Sequence, residues 1–159
     1  LEPYRGFPTF MQAAKLILER RPNTQILVVG GDDVSYGSKR TDGKSYREHY
    51  LETLKLDTSR IHFLGRVPYD RYLQILQLSA AHIYLTFPFV LSWSMMEAMA
   101  AGCLVIGSRT APVEEVIKDG RNGLLVDFFS ATEVADRVDD VLDHPDRMQR
   151  LREIGRAHV

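Results

Sequence analysis

The sequence predicts an α/β fold in which a Rossmann-like, doubly wound parallel sheet is flanked by helices. Short apolar segments rich in β-branched residues alternate along the chain with longer segments of helical periodicity. The short segments are nearly continuous apolar runs, as expected for strands that helices cover on both faces of a parallel sheet. We expect about five or six such strands, with ligands bound beyond their carboxyl ends.

The first half of the chain shows this alternation clearly. A helix is predicted over residues 7–23, where apolar residues recur on one face and Pro8 suits the first turn. The strand after it, residues 24–31, is a β-branched run that two glycines end. A polar, glycine-bearing loop follows from Asp32 to Gly43. The remaining elements of this half are a helix at 45–56, a strand at 60–65 and a helix at 69–79.

The second half continues the pattern and ends on two helices. A strand at 82–86 precedes a helix at 94–102, whose end Gly102 would cap. The next strand, 103–108, begins with the single cysteine, Cys103, which we interpret as a small buried hydrophobe in a protein without an internal disulfide. The remaining elements are a short helix and turn at 111–123, an edge strand at 124–127, and helices at 130–142 and 144–157.

The composition is that of one globular domain. Of the 159 residues, 45% are apolar and 26% charged, which is ordinary for this class. The net charge of −1 gives no reason to expect nucleic acid or an anionic membrane as a partner. The apolar runs are far shorter than the roughly 20 residues of a transmembrane helix. A lone cysteine is typical of a reducing compartment, so we expect a cytoplasmic location.

The stretch from Thr86 to Gly102 holds the strongest candidate site. Ser92, Trp93 and Ser94 lead into a helix, and the free amides and partial positive charge of a helix start can hold a phosphate. Glu97 would lie one turn inside, towards the sheet edge, where its carboxylate can accept two hydrogen bonds from a ribose diol. Ser94 and Glu97 also fit a capping box, in which the glutamate accepts a backbone amide. The local pattern leaves both interpretations open.

Two other loops offer weaker candidates. Thr110 follows the strand ending at Ser108 and precedes a helix, so amides there can face a phosphate or form an ordinary turn. Arg5 stands before Gly6 at the start of the first helix. Arginine forks onto phosphate oxygens and glycine lets a ligand approach the backbone, although a solvated surface arginine has the same pattern.

Several common site types are not indicated. Asp32 and Asp33 are adjacent carboxylates, but no third metal ligand lies at a useful spacing, and loop or capping roles are commoner. The histidines are scattered and form no zinc pattern. The sequence contains neither the P-loop motif nor the Gly-x-Gly-x-x-Gly motif, which argues against a common kinase, GTPase or dehydrogenase site.

Together these segments resemble the C-terminal half of a family 4 glycosyltransferase, whose members have the GT-B fold. The resemblance covers nearly the whole chain in order and spacing, and its most specific part runs from residue 97 to residue 126. The matching segments are RG (5–6), ILVVGG (26–31), IHFLGRVPYDRYLQIL (61–76), SMMEAMAAGCLVIGS (94–108) and EEVIKDGRNGLLVD (114–127).

The resemblance implies an enzyme of two Rossmann-like domains, of which the C-terminal one binds a UDP- or GDP-sugar. Family members retain the anomeric configuration and need no metal ion or other cofactor. Arg5, the catalytic candidate, matches the basic residue that contacts the diphosphate, and Glu97 matches the glutamate that binds the ribose hydroxyls. The other donor-binding candidates are Gly6, then Gly65, Arg66 and Val67 around the base, and the backbone amides of Ser92, Trp93, Ser94, Met95 and Thr110 at the phosphates.

One position departs from the family pattern. The family motif carries a second glutamate eight positions before Glu97, near the transferred sugar, and this chain has Phe89 there. The glycine-rich segment GFG that usually follows it is also missing, and this chain has Val90, Leu91 and Ser92 there. Since small glycines let a sugar approach the backbone, we expect a reshaped sugar pocket.

By the resemblance, residues 1–159 form one nucleotide-sugar-binding domain of a longer bacterial enzyme that transfers a hexose to a glycan, lipid or small-molecule acceptor. The acceptor domain would precede Leu1. We therefore expect this segment alone to be inactive, and any association with the inner membrane face to come from the missing part. The alternatives are a nucleotide-binding module without catalysis, a nucleotide-sugar epimerase of the same fold, and a structural Rossmann domain.

Overall fold

The structure, a computed structural model, describes residues 1–87 and 91–159 and confirms the predicted α/β fold. Each predicted helix and strand is present, and a short 3₁₀-helix precedes them. The elements in chain order are the 3₁₀-helix (Pro3–Arg5), α1 (Phe7–Arg20), β1 (Ile26–Val29), α2 (Tyr46–Leu54), β2 (Ile61–Gly65), α3 (Tyr69–Leu78), β3 (His82–Tyr84), α4 (Trp93–Ala100), β4 (Val105–Ser108), α5 (Ala111–Val116), β5 (Leu124–Val126), α6 (Ala131–Asp143) and α7 (Pro145–His158). Among these described helices, none combines the length and the apolar character needed to cross a membrane.

The strands pair in parallel and form two hydrogen-bonded units. β1 pairs with β2, from Ile26 opposite Ile61 to Val29 opposite Gly65. β3, β4 and β5 form the second unit with β4 in the middle, so β5 is the edge strand that the sequence predicts. Within the described residues no ladder joins β1 to β3, and both strands line one cleft.

Helix α1 connects the two units, because its side chains enter both cores. Met11 and Leu18 belong to the cluster that contains Val28 of β1. Ile17 belongs to the cluster that contains Ile106 of β4. Burying an apolar side chain of this size stabilises a fold by about 1.5–3 kcal/mol, so α1 contributes to the stability of both units.

Two local predictions on the second unit are confirmed. Gly102 follows Ala101 at the end of α4 with a φ of +79°, the left-handed conformation of a helix-ending glycine. Cys103 is buried, and burial raises the pKa of its thiol to about 11. The thiol is therefore protonated at neutral pH, as expected for a core residue.

Gly6, between the 3₁₀-helix and α1, is required by packing. Its φ of +66° lies in the left-handed region that glycine adopts easily. A Cβ atom at this position would lie only 2.3 Å from the Cβ of Leu85, just beyond β3. The sequence pattern predicts that a ligand approaches the backbone here, whereas in the structure the side chain of Leu85 fills the space beside the Gly6 Cα.

Gly6→Ala is expected to lower the free energy of unfolding by roughly 2–5 kcal/mol, because the new methyl group meets Leu85 and the backbone is strained. Gly43→Ala is the matched control, since its φ is +75° but nothing lies within 4 Å of its Cβ position. This variant should lower the free energy of unfolding by the backbone strain alone, about 1–2 kcal/mol. Urea unfolding followed by circular dichroism measures both losses. Equal losses would show that the contact with Leu85 contributes nothing.

Candidate functional site

A cleft lies between β1 and β3 and extends along both strands. It has a volume of about 880 Å³ and runs from Gln25 and Ala81, before the two strands, to Val29 and Leu85 at their other ends. β1 pairs onward with β2, and β3 pairs onward with β4 on the opposite side. The cleft therefore lies at the topological switch point, where open parallel sheets bind their ligands.

The structure brings five of the predicted site residues together at this cleft. They come from two separate segments, the 3₁₀-helix before α1 and the first two turns of α4. The five that line the cleft are Arg5, Ser92, Trp93, Ser94 and Glu97. In the part of the chain that the structure describes, the predicted residues that do not line it are Gly6, Gly65, Arg66, Val67, Met95 and Thr110.

Arg5 brings an unneutralised positive charge to the cleft. The Cζ atom of its guanidinium lies 5.2 Å from the centre of the Tyr36 ring, a cation–π contact. Within residues 1–87 and 91–159, no carboxylate lies at ion-pair distance from Arg5. Its guanidinium donors are thus available to an anion such as a phosphate.

Asp32 and Asp33, weighed as a metal site from the sequence, form ion pairs with arginines. Arg47 lies 2.7 Å from Asp32, and Arg66 lies 3.3 Å from Asp33. Among the described residues, no group of three His, Cys, Asp or Glu side chains is arranged to hold a metal ion. The ion pairs agree with the loop role that the sequence favours for both carboxylates.

Most of the first amides of α4 are already engaged within the chain. Ser92 is the N-cap; its amide donates to the Tyr84 hydroxyl at 2.8 Å. The Met95 amide donates to the Ser92 carbonyl at 3.2 Å, and the Ser94 amide lies 3.4 Å from the Ser92 hydroxyl. Among the described residues, only the Trp93 amide of this stretch has no acceptor. Fewer amides are therefore open to a phosphate than the sequence predicts.

Glu97 lies in the second turn of α4 and is partly buried. The capping box of Ser94 and Glu97 is wrong, because the helix begins at Trp93 with Ser92 as its N-cap. The Tyr69 side chain, at the start of α3, instead interacts with Glu97, and this carboxylate raises the pKa of Tyr69. The Glu97 carboxylate thus interacts with a hydroxyl group, the type of donor that a ribose diol also offers.

The sequence analysis did not predict three tyrosines near the start of α4. They are Tyr84, described above, and Tyr69 and Tyr72 of α3. The Tyr72 hydroxyl donates to the Ser94 carbonyl at 3.4 Å. Burial raises the pKa of Tyr72 to about 12, and the charge of Glu97 adds to the shift, so this hydroxyl stays protonated. Tyr69 and Tyr72 are three residues apart in a predicted helix. This spacing places them on one face and was the available signal.

The predicted base-binding residues lie at the end of β2 and directly after it, on the strand that pairs with β1. Gly65 has a φ of +64°, and nothing lies within 4 Å of its Cβ position, so its backbone is accessible from that side. Its carbonyl accepts the Gly30 amide at 2.8 Å, which joins the turns after β1 and β2. Arg66 is exposed and Val67 is half-buried.

Thr110, the N-cap of α5, carries a buried hydroxyl with no hydrogen-bond partner among the described residues. The residue is only 8% exposed, and its amide already donates to the Ser108 carbonyl at 2.8 Å. The neighbouring Ser108 hydroxyl is fully satisfied, because it donates to the Thr86 carbonyl and accepts the Thr86 amide, both at 3.1 Å. An unsatisfied hydroxyl is the costlier of the two to bury.

The family model described as glycosyl transferases group 1 matches residues 1–158. The chain aligns over its whole length with the D-inositol 3-phosphate glycosyltransferase of Corynebacterium glutamicum (strain R), at 29% identity over 163 aligned residues. It covers 37% of that protein, so it spans a little over a third of this relative.

Solved structures of other proteins share the fold. HepE from Anabaena, solved in complex with UDP-glucose, matches 99% of this chain and 41% of its own length with a TM-score of 0.82 and 20% identity. The C-terminal domain of LpcC, a glycosyl transferase group 1 family protein of Francisella tularensis, matches the whole chain and 80% of its own length with a TM-score of 0.81 and 20% identity. These likenesses confirm the predicted Rossmann-like fold.

Thr110→Val is expected to raise the free energy of unfolding by about 1 kcal/mol, because a methyl group of the same shape replaces a buried hydroxyl without a partner. Ser108→Ala is the control and should lower the free energy by roughly 1–3 kcal/mol, since it leaves polar groups of Thr86 unpaired. Urea unfolding of the unliganded chain measures both. A destabilised Thr110→Val variant would show that this hydroxyl has a partner in solution.

Proposed function

Because the chain belongs to the family of glycosyl transferases group 1, we propose that it forms the nucleotide-sugar-binding domain of a hexosyltransferase whose donor is a UDP- or GDP-hexose. In this proposal the sugar passes, with retained configuration as in family 4, to a glycan, lipid or small-molecule acceptor. A second domain outside this chain holds that acceptor. The diphosphate is neutralised by side chains and amides, without a metal ion or other cofactor.

The observation that carries the proposal is that Arg5, before α1, and the start of α4, after β3, line one and the same cleft. The Arg5 guanidinium can fork onto diphosphate oxygens, and the Trp93 amide adds a donor at the helix start. Negative charge develops on the diphosphate as its bond to the sugar breaks. A cation already placed there stabilises that charge without having to reorganise.

Glu97 is the proposed ligand of the ribose in the complex with the donor. Its carboxylate lines the cleft and already interacts with the Tyr69 hydroxyl. A ribose diol can join this hydroxyl or replace it, so the carboxylate has a donor with or without the ligand. The accessible backbone of Gly65 supports a neighbouring position for the base.

A nucleotide-binding module without catalysis is the second candidate function. Phe89 favours it, because it stands where the family pattern has the glutamate near the transferred sugar. Phe89 lies outside the described residues. Sugar transfer by the protein that contains this chain, with Phe89 in place, would exclude the module. Transfer that appears only after Phe89→Glu would favour it.

Isothermal titration calorimetry with UDP, GDP and ADP tests the proposed donor site on this chain. Binding of UDP or GDP in preference to ADP supports it. If none of the three binds, the proposal is contradicted and the structural Rossmann domain remains. The variants below are tested with the nucleotide that binds. They are described for UDP, with uridine as the nucleoside that lacks the diphosphate.

Arg5→Gln is expected to lower the affinity for UDP about tenfold or more, because a charge-assisted hydrogen bond to the diphosphate is lost. The affinity for uridine, which has no phosphate, should not change. Arg40→Gln is the matched control. Arg40 also lies over a ring, that of Tyr46 at 5.9 Å, but it pairs with Asp42 at 2.5 Å and does not line the cleft. Equal losses of UDP and uridine affinity in Arg5→Gln would remove the diphosphate assignment.

Glu97→Gln is expected to weaken UDP and uridine alike, about tenfold, because both carry the ribose diol that the carboxylate accepts. The sharper readout is the preference for UDP over 2′-deoxy-UDP, which should be present in the native chain and reduced in the variant. Glu115→Gln on the exposed side of α5 is the control. An unchanged preference in Glu97→Gln would end the ribose assignment.

A further inference from the structure

Glu2 is a buried carboxylate that stands shortly before Arg5 and does not line the cleft. Its Oε2 atom accepts the amides of Tyr36 and Gly37 at 2.9 Å each and the amide of Ser35 at 3.2 Å. Burial raises the pKa of this carboxyl, but the three hydrogen bonds outweigh that effect and leave the pKa below its usual value. The side chain is therefore ionised at neutral pH.

The loop that Glu2 holds has no regular structure of its own. No helix or strand lies between β1 and α2 in the described chain, so the backbone groups there need partners outside a ladder. Three successive amides converge on one carboxylate oxygen. Charge-assisted hydrogen bonds are about twice as strong as neutral ones, so this contact fixes the course of residues 35–37.

The fixed loop places Tyr36 against Arg5. The guanidinium lies 5.2 Å from the ring centre. A long arginine side chain loses rotamer freedom when it binds an anion, and a ring that already confines it reduces that loss. The main chain of Glu2 acts on the same arginine, because its carbonyl accepts the Arg5 amide at 3.1 Å. Glu2 thus contacts the backbone of both Arg5 and Tyr36, the cation and the ring that lies beside it.

We propose that Glu2 is a positioning residue for diphosphate binding, which holds Tyr36 against the guanidinium of Arg5 through the amides of residues 35–37. The inference rests on the proposed function, in which Arg5 contacts the diphosphate of the donor. Glu2 itself touches neither the donor nor the cleft.

Glu2→Gln tests the proposal, because it keeps the size of the side chain and removes the charge that the three amides share. We expect the affinity for UDP to fall roughly three- to tenfold and the affinity for uridine to stay the same. A residue that only supports the fold would not separate the two ligands. Glu48→Gln is the matched control, since this carboxylate also accepts a backbone amide, that of Ser45 at 2.8 Å, and does not line the cleft.

A double-mutant cycle shows whether Glu2 acts through Arg5. In the Arg5→Gln background, Glu2→Gln should cost no further UDP affinity. Additive losses overturn the inference, and so does an equal loss of uridine affinity in Glu2→Gln. If Arg5→Gln alone leaves UDP affinity unchanged, the proposed function fails. If Arg5→Gln weakens UDP and Glu2→Gln does not, only the present inference fails.

Tyr36→Leu gives an independent variant, because it leaves the amides that Glu2 binds in place and removes the aromatic ring with its hydroxyl. It should reproduce the selective loss of UDP affinity seen in Glu2→Gln. This variant also decides the matter if Glu2→Gln fails to fold. UDP affinity within about twofold of the native chain in Tyr36→Leu would overturn the proposal.

Discussion

The segment formed by residues 2–6 ties the two strand units together at their carboxyl ends, and the geometry of the cleft depends on this connection. The Glu2 side chain holds the loop after β1, and the Tyr4 carbonyl accepts the amide of Phe87 beyond β3 at 2.9 Å. Since no ladder joins β1 to β3 within the described residues, this segment and α1 set the separation of the two strands. Arg5 belongs to the same segment, so its charge is fixed relative to both walls of the cleft.

The distribution of charge points to the same segment. Asp32 and Asp33, in the loop after β1, pair with Arg47 of α2 and with Arg66 after β2, so these charges largely cancel. The chain as a whole carries a net charge of only −1, so its net charge does not favour the approach of an anion. In the proposed function, attraction of the donor to the cleft therefore comes from local groups, above all from Arg5, which has no carboxylate partner among the described residues.

Features set by neighbouring residues could be predicted from the sequence, whereas those set by distant contacts could not. The strands, the helix-ending Gly102 and the position of Glu97 on a helix all follow from local periodicity and turn chemistry. The predicted capping box of Ser94 and Glu97 was wrong because two serines, Ser92 and Ser94, precede or begin α4, and Ser92 is the N-cap in the structure. The contact between Glu2 and residues 35–37 was missed because these residues lie more than 30 positions away, and no local pattern records such a contact.

In the proposed function, the hydrogen bonds within the start of α4 shift anion recognition from backbone amides to the arginine. The partial charge of the helix end remains but decays within its first turn, and few free N–H groups accompany it. A diphosphate bears at least two negative charges at neutral pH, so one guanidinium and one open amide leave part of that charge uncompensated. Water can hydrate the remaining charge at an open edge, and binding requires no more than this. Lowering a reaction barrier requires fixed dipoles in a site without water, because electrostatic terms are larger there. In the enzyme proposed above, the second domain provides that closure, so the geometry of this chain suits holding the donor, and catalysis depends on what covers it.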